Sequence, residues 1–395
     1  MLTSNIRFRA LTANFYNLAL LSFLIFYLIE VIDYQQSFAF HPWIAGDWLI
    51  NYSNGFIRRG FLGAIIDKYG DAFDRPLSSL VLEIKLVFYL IWVGVFYCLA
   101  IKKSIGFIEF ILILSPWAFL FDLHDPQGSG RKELVLLCIF SIYIYFLAIY
   151  PPSKKNIFHN WTFYFLLIAL PTLTIIHEGL FFYLQFFLLP LLYNKKYSHV
   201  FLGFFIPYLV AAFTATFMYL FFKGDISYAS SICTSLLNKG FQASICGGAV
   251  DAINPTSVYF DSLYYQIYIP IFFLTLVPLV LYFYKVSNLS GPQKIYLLLI
   301  GLTPTIPLYL ISFDWGRWIH IYGLLSLILY MGIKTHKLQL NLGSMIALLP
   351  MGFFYTFCWI IPHSIVGLKE FRWFQIPSFS FQELRFYDLW MFINF

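Results

Sequence analysis

The sequence predicts an all-α, polytopic integral membrane protein with about eleven transmembrane helices and a long first outer loop. Three observations predict it. Charged residues make up only 11% of the 395 residues, hydrophobic ones make up 60%, and the mean hydropathy is +0.76. So few charges cannot cover a water-exposed surface. Apolar runs of roughly 15 to 24 residues recur along the chain, the length that crosses a hydrocarbon core about 30 Å thick. Lysines then collect in short, acid-poor segments at alternate ends of those runs, as cytoplasmic loops require.

In chain order, the apolar runs begin near Phe15, Leu86, Ile105, Leu134, Trp161, Gly179, His199, Ser262, Ile295, Trp318 and Leu342. The first is preceded by Arg7 and Arg9 and has no small-residue cleavage site, so it reads as a span rather than a removable signal. The two runs flanking His177 and Glu178 are short and read as tilted or broken. No internal repeat, low-complexity tract or soluble domain interrupts the pattern, so residues 1–395 read as one transmembrane domain.

With the N-terminus inside, the inner segments hold Arg7, Arg9, Lys102, Lys103, Lys154, Lys155, Lys195, Lys196, Lys285, Lys294, Lys334 and Lys337. These are 12 of the 25 basic residues, with only Glu109 close by. The outer segments are then 33–85, 122–133, the His177–Glu178 corner, 223–261, 313–317 and the tail 363–395. Within the first, Phe61 to Ile66 is a short apolar piece that lies along the interface or re-enters. The aromatic tail reads as an interfacial cover. Nearly all carboxylates, and every arginine but Arg7 and Arg9, fall outside, so any chemistry is expected there.

The net charge of +6 is modest and no basic face is long enough to track a phosphate backbone, which excludes nucleic acid as a partner. An aromatic share of 22% suits lipid-facing helices, interfacial belts and stacking platforms alike and chooses no function. Five cysteines show no metal-ligand spacing. Cys98, Cys138 and Cys358 lie inside apolar runs, whereas Cys233 and Cys246 share an outer loop where a disulfide is plausible.

The outer segments hold the candidate chemistry. "NYSNGFIRRGFLG" sets Arg58 and Arg59 among glycines on the face where cations are not favoured. Such a doublet is a two-pronged clamp for phosphate, or else it snorkels towards lipid headgroups or pairs with Asp47 or Asp67. Asp47, just upstream, is either a general base for a sugar hydroxyl or a helix cap. "DLHDPQGSGRKE" places Arg131 and Lys132 beside a Gly-Ser-Gly turn whose amides can face an anion; the bland alternative is a solvated hairpin. Asp122 and His124 in the same stretch are two ligands, too few for a metal site, and no metal or other cofactor is expected.

His177 and Glu178 interrupt an apolar stretch and are candidates either for base catalysis or for a structural pair. In "SFDWGRWIH", Asp314 and Arg317 stand three apart, the spacing of a local salt bridge, with Arg317 also a candidate phosphate ligand. Trp315 and Trp318 beside them, with Asp314, Asn51 and Tyr52, are candidates to hold sugars.

A first-loop acid at Asp47, many spans and clustered outer-face arginines make the chain resemble the GT-C class of polyprenyl-phosphate-dependent glycosyltransferases. Its length and Phe/Tyr/Ile-rich composition also resemble Wzy-type polymerases of O-antigen and capsule repeats. The paired first-loop acids of many such enzymes are missing around Asp47. The resemblance implies a base at Asp47 and phosphate ligands at Arg58, Arg59 and Arg317. It implies sugar transfer from an undecaprenyl-(di)phosphate-linked glycan at the periplasmic face of a bacterial inner membrane. The implied partners are that substrate, membrane lipid, and a chain-length regulator or other polysaccharide-assembly protein. A single-sugar transferase and a lipid-linked glycan transporter or flippase are the alternatives.

Overall fold

The computed structural model describes residues 2–151, 160–193, 201–253, 262–335, 340 and 342–365. Their regular elements are helices, apart from one isolated bridge between Ser53 and Gly55. In order these are α1 (Leu2–Ser37), α2 (Gly46–Leu49), α3 (Gly60–Phe73), α4 (Leu77–Lys103), α5 (Phe107–Ile113), α6 (Phe119–His124), α7 (Glu133–Ile149) and α8 (Trp161–Ile176). A 3₁₀ stretch over Glu178–Phe187 leads to α9 (Leu189–Tyr193), α10 (Phe201–Phe221) and α11 (Ile226–Asn238). Then come α12 (Ser262–Val286), α13 (Gly291–Leu302), α14 (Ile306–Ile311), α15 (Trp315–Ile333) and α16 (Leu342–Phe357).

Among the described residues, six helical stretches are long and apolar enough to cross a membrane: Asn14–Ser37, Leu77–Lys103, Phe204–Phe221, Ser262–Val286, Gly291–Ile311 and Trp315–Ile333. The chain is a helical membrane protein.

The other five expected runs form shorter helices, and local chemistry explains two of the breaks. The run from Ile105 stops after α5 because Pro116 restricts Ser115 and removes a backbone donor; the chain resumes as α6. The run at Gly179 starts as a tighter 3₁₀ helix behind an extended His177 (φ −160°, ψ 117°). The span expected from Leu86 begins earlier, at Leu77 behind Pro76, so Lys85 lies inside α4 rather than ending the loop. The tail expected as an interfacial cover lies outside the described residues beyond Ile365.

Helix α15 is the axis of the bundle: 17 of its 19 residues are buried. A helix apolar on every side belongs at the centre, and α7 and α12 pack on it, with α4 behind α7 and α1 behind α4. α8 and α10 pair at the flank. Close approach depends on small residues: a Cβ on Gly323 would come within 2.5 Å of the Trp117 ring, and one on Gly332 within 2.2 Å of Ile144.

At the end of the bundle where α15 finishes, Glu109 is buried. It accepts from the Gly106 N–H at 3.0 Å and from Tyr282 OH at 3.0 Å, and it pairs with Lys334. This ties α5, α12 and α15 together.

The layer beside the start of α15 is built from α2, α3 and α11. Residues Phe61–Ile66, expected at the interface, belong to α3, where a Cβ on Gly63 would meet Ile50 O at 1.9 Å. α3 therefore lies directly on the 49–51 backbone, beside Asp47. Lys239 binds Asp67 at 2.5 Å and Asp71 at 2.7 Å, and Cys233 and Cys246 are disulfide-bonded. α11 is thereby fastened to α3 and to the loop that follows it.

Candidate functional site

Charged residues scattered through the segments expected outside converge on one network beside the start of α15. Arg59, at φ +63°, is the left-handed residue that starts α3, a conformation costing about 1–2 kcal/mol for a non-glycine residue. Arg58 precedes it, and both guanidiniums meet on Glu178. Arg58 Nη1 reaches Oε1 at 2.6 Å, while Arg59 Nε and Nη2 reach Oε1 at 2.9 and 2.7 Å. Arg59 Nε also reaches Oε2 at 3.1 Å. Arg58 is further held by the carbonyls of Lys223 at 2.8 Å and Ile253 at 3.1 Å. The carboxylate expected for Arg58 was Asp47 or Asp67; Glu178 takes that place, because the 3₁₀ start carries it to the N-terminus of α3.

Asp47 sits one layer deeper. Lys132, fully buried, places its ammonium 3.9 Å from Asp47 Oδ1 and donates to Arg59 O at 2.6 Å, and its backbone N–H donates to Asp47 Oδ2 at 3.3 Å. Burial opposes ionisation of Asp47, but Lys132, Arg59 and Arg131 outweigh it and hold the carboxyl well below the usual range. A carboxylate held there is a weak proton acceptor. Its surroundings suit an anionic anchor for Lys132, against the expectation of a base.

Asp314 bridges two arginines. Its Oδ2 is 2.6 Å from Arg317 Nη2 and 3.6 Å from Arg131 Nη1. Arg317 Nη1 also lies 3.2 Å from Glu133 Oε1. Arg131 stacks over Trp43, 5.3 Å from the ring centre, and Arg317 over Trp318 at 4.5 Å. Arg58, Arg59, Arg131, Lys132 and Arg317 thus face Asp47, Glu133, Glu178 and Asp314: five cations against four carboxylates.

Several expected roles change. The Gly-Ser-Gly turn does not offer its first amides to an anion: Gly128 N–H donates to Asp125 and Ser129 N–H to Pro126 O. Trp318 and Asn51 are almost fully buried and Trp315 is enclosed by Tyr264, Tyr265, Tyr268 and Tyr309. None of the three presents a face to a sugar, because the bundle fills the space above them. Tyr52 is half-buried, its ring against Gly60 and Phe56.

His177 is buried, and burial pushes its pKa down to about 3, so it is neutral. Its Nδ1 accepts the Gly179 N–H at 2.9 Å, which leaves it a helix cap rather than a base aimed outward. Among the described residues no three His, Cys, Asp or Glu side chains group to hold a metal.

Residues that sequence reasoning left out complete the site. The 358–365 segment folds back over the start of α15: Gly316 N–H donates to His363 O at 3.1 Å, and a Cβ on Gly316 would lie 1.8 Å from Pro362 O. His363 Nδ1 pairs with Asp125 at 2.8 Å. Glu133, buried, has no aligned hydrogen bond on either oxygen, and the Nε atoms of Arg131 and Arg317 have none either. A cavity of about 20 Å³, room for one water, lies against Tyr89, Asp122, Arg131, Glu133, Arg317 and His320. Asp122 accepts from Tyr27, and burial pushes its pKa up to about 7. The one signal in the sequence was that Asp125, Glu133 and His363 all fall in outer segments.

The chain matches no protein-family profile, no curated protein and no solved structure.

Proposed function

We propose that the protein is a membrane glycosyltransferase that uses an undecaprenyl-(di)phosphate-linked sugar or oligosaccharide, most simply as a polymerase of surface-polysaccharide repeats. One observation supports this most: arginines more than 250 residues apart in sequence meet in a single partly exposed network at one end of the bundle. Guanidiniums gathered in a low-dielectric layer stabilise a phosphate as charge develops on it during departure. The same reading takes all eleven apolar runs as crossings of about one bilayer each, tilted or broken where short, with the N-terminus inside and the site at the periplasmic face of a bacterial inner membrane.

The test is reconstitution in liposomes with an undecaprenyl-diphosphate-linked repeat unit. The expected result is longer glycans with release of undecaprenyl diphosphate. Addition of a single sugar would instead fit a monosaccharide transferase. A transporter is the second reading, favoured by the interrupted segments at 114–118 and 178–187, since broken helices line transport paths. Movement of intact substrate between leaflets with no new glycosidic bond would establish that reading and overturn the transferase.

A further inference from the structure

We infer that Glu178 stands where an anionic diphosphate is to be held, and that an incoming diphosphate exchanges with it for Arg58 and Arg59, freeing Glu178 as a proton acceptor. The exchange rests on the geometry; the proton-accepting role rests also on the transferase reading.

Arg58 is a fixed post. Its backbone N–H binds Phe222 O at 2.9 Å, and Nε and Nη2 are taken by Lys223 O and Ile253 O, so Nη1 alone points at an anion. Arg59 offers Nε and Nη2 side by side to the two Glu178 oxygens, the two-pronged edge that grips phosphate equally well. Donors from both arginines converge on Oε1 of one carboxylate. Such a carboxylate carries one negative charge, whereas a diphosphate carries more and has more acceptor oxygens, so the arginines favour the exchange.

The pair is reachable. The Arg58, Arg59 and Glu178 side chains are 12%, 23% and 16% exposed, and Ser53, Asn54 and Gly55 beside them lie at the surface. His177 and Lys132 are the other ionisable groups facing Glu178; His177 is bound to the Gly179 amide, and the Lys132 ammonium is engaged by Arg59 O and Asp47.

A carboxylate released from two guanidiniums recovers basicity. In the transfer step the acceptor hydroxyl oxygen bonds to the anomeric carbon and its proton passes to Glu178. The bond from that carbon to the phosphate oxygen breaks, and its electron pair leaves on the diphosphate held by Arg58 and Arg59. Binding of the donor thus switches on the base.

The first test uses the wild-type protein in micelles: carbodiimide modification of Glu178, read by peptide mass spectrometry, with farnesyl diphosphate, farnesol or inorganic pyrophosphate added. Farnesyl diphosphate is expected to raise modification several-fold, and farnesol to leave it unchanged. A rise with pyrophosphate too would identify the phosphates alone as the ligand; without it, the prenyl chain is required. Unchanged or reduced modification under farnesyl diphosphate overturns the exchange.

The second test is Glu178→Gln, expected to bind farnesyl diphosphate about tenfold tighter, since a competing anion is gone, while glycan extension is lost. Equal or weaker binding overturns the inference. If the exchange occurs and wild-type protein extends no glycan, the anion site stands and the transferase reading falls. If glycans grow without the exchange, the reverse holds.

Discussion

Replacing Lys132 with methionine isolates the deepest ion pair of the site. Methionine keeps most of the apolar stem and removes the charge. At the 3.9 Å separation from Asp47 and an effective dielectric of about 20, the attraction lost is about 4 kcal/mol. Asp47 stays buried with its ion-pair partner gone and only the more distant Arg59 and Arg131 as cations; breaking a buried pair typically costs about 3–5 kcal/mol. The Lys132 bond to Arg59 O is also lost, for about 1.5–3 kcal/mol on a charged donor.

Adding Asp47→Asn removes the stranded charge but not the second loss. The double variant should therefore recover roughly 2–3 kcal/mol relative to Lys132→Met alone. The assay is equilibrium unfolding in mixed micelles of all four proteins of the double-mutant cycle. Strict additivity of the two single losses would refute the pairing, and with it the view that Asp47 serves as an anchor.

Three further outcomes are expected. Gly63→Ala should lose about 1–3 kcal/mol or more in the same unfolding assay, because its Cβ meets a backbone carbonyl that cannot move aside; wild-type stability would contradict that contact. Preventing the Cys233–Cys246 disulfide, by Cys233→Ser with Cys246→Ser, should lower stability by about 3 kcal/mol, and peptide mapping that finds both wild-type thiols free would refute the bond. His41 accepts from the Trp43 and Ile44 amides through Nδ1, and burial together with Arg131, His363 and Lys85 pushes its pKa from 6.5 to about 4. The fold then binds fewer protons than the unfolded chain, so stability from this group is full above pH 6.5 and is lost as pH falls towards 4. The melting temperature of wild type should drop across that window more than that of His41→Asn, which keeps an acceptor and does not titrate.

The sequence by itself determined the membrane class and that the charged residues of the network belong to one set of segments between the apolar runs. Both follow from sums over many residues: hydropathy along a run, and the bias of lysines towards one set of short segments. These sums survive local error, so six of the eleven expected runs are long apolar helices among the described residues, the one expected near Leu86 starting earlier, at Leu77 behind Pro76.

What only the tertiary structure decided was who faces whom. Arg58 and Arg59 bind Glu178, some 120 positions away, instead of Asp47, and Arg317 holds Glu133 as well as its neighbour Asp314. Ion pairing depends on distances of a few ångström set by helix packing, which no local pattern encodes. The same packing buries Trp318 and Asn51, enclosing polar groups that their loop positions suggested were open to sugars. Tight contacts at Gly63 and Gly316 bring the 49–51 and 358–365 backbones against the network, and that closeness exists only once distant segments are folded together.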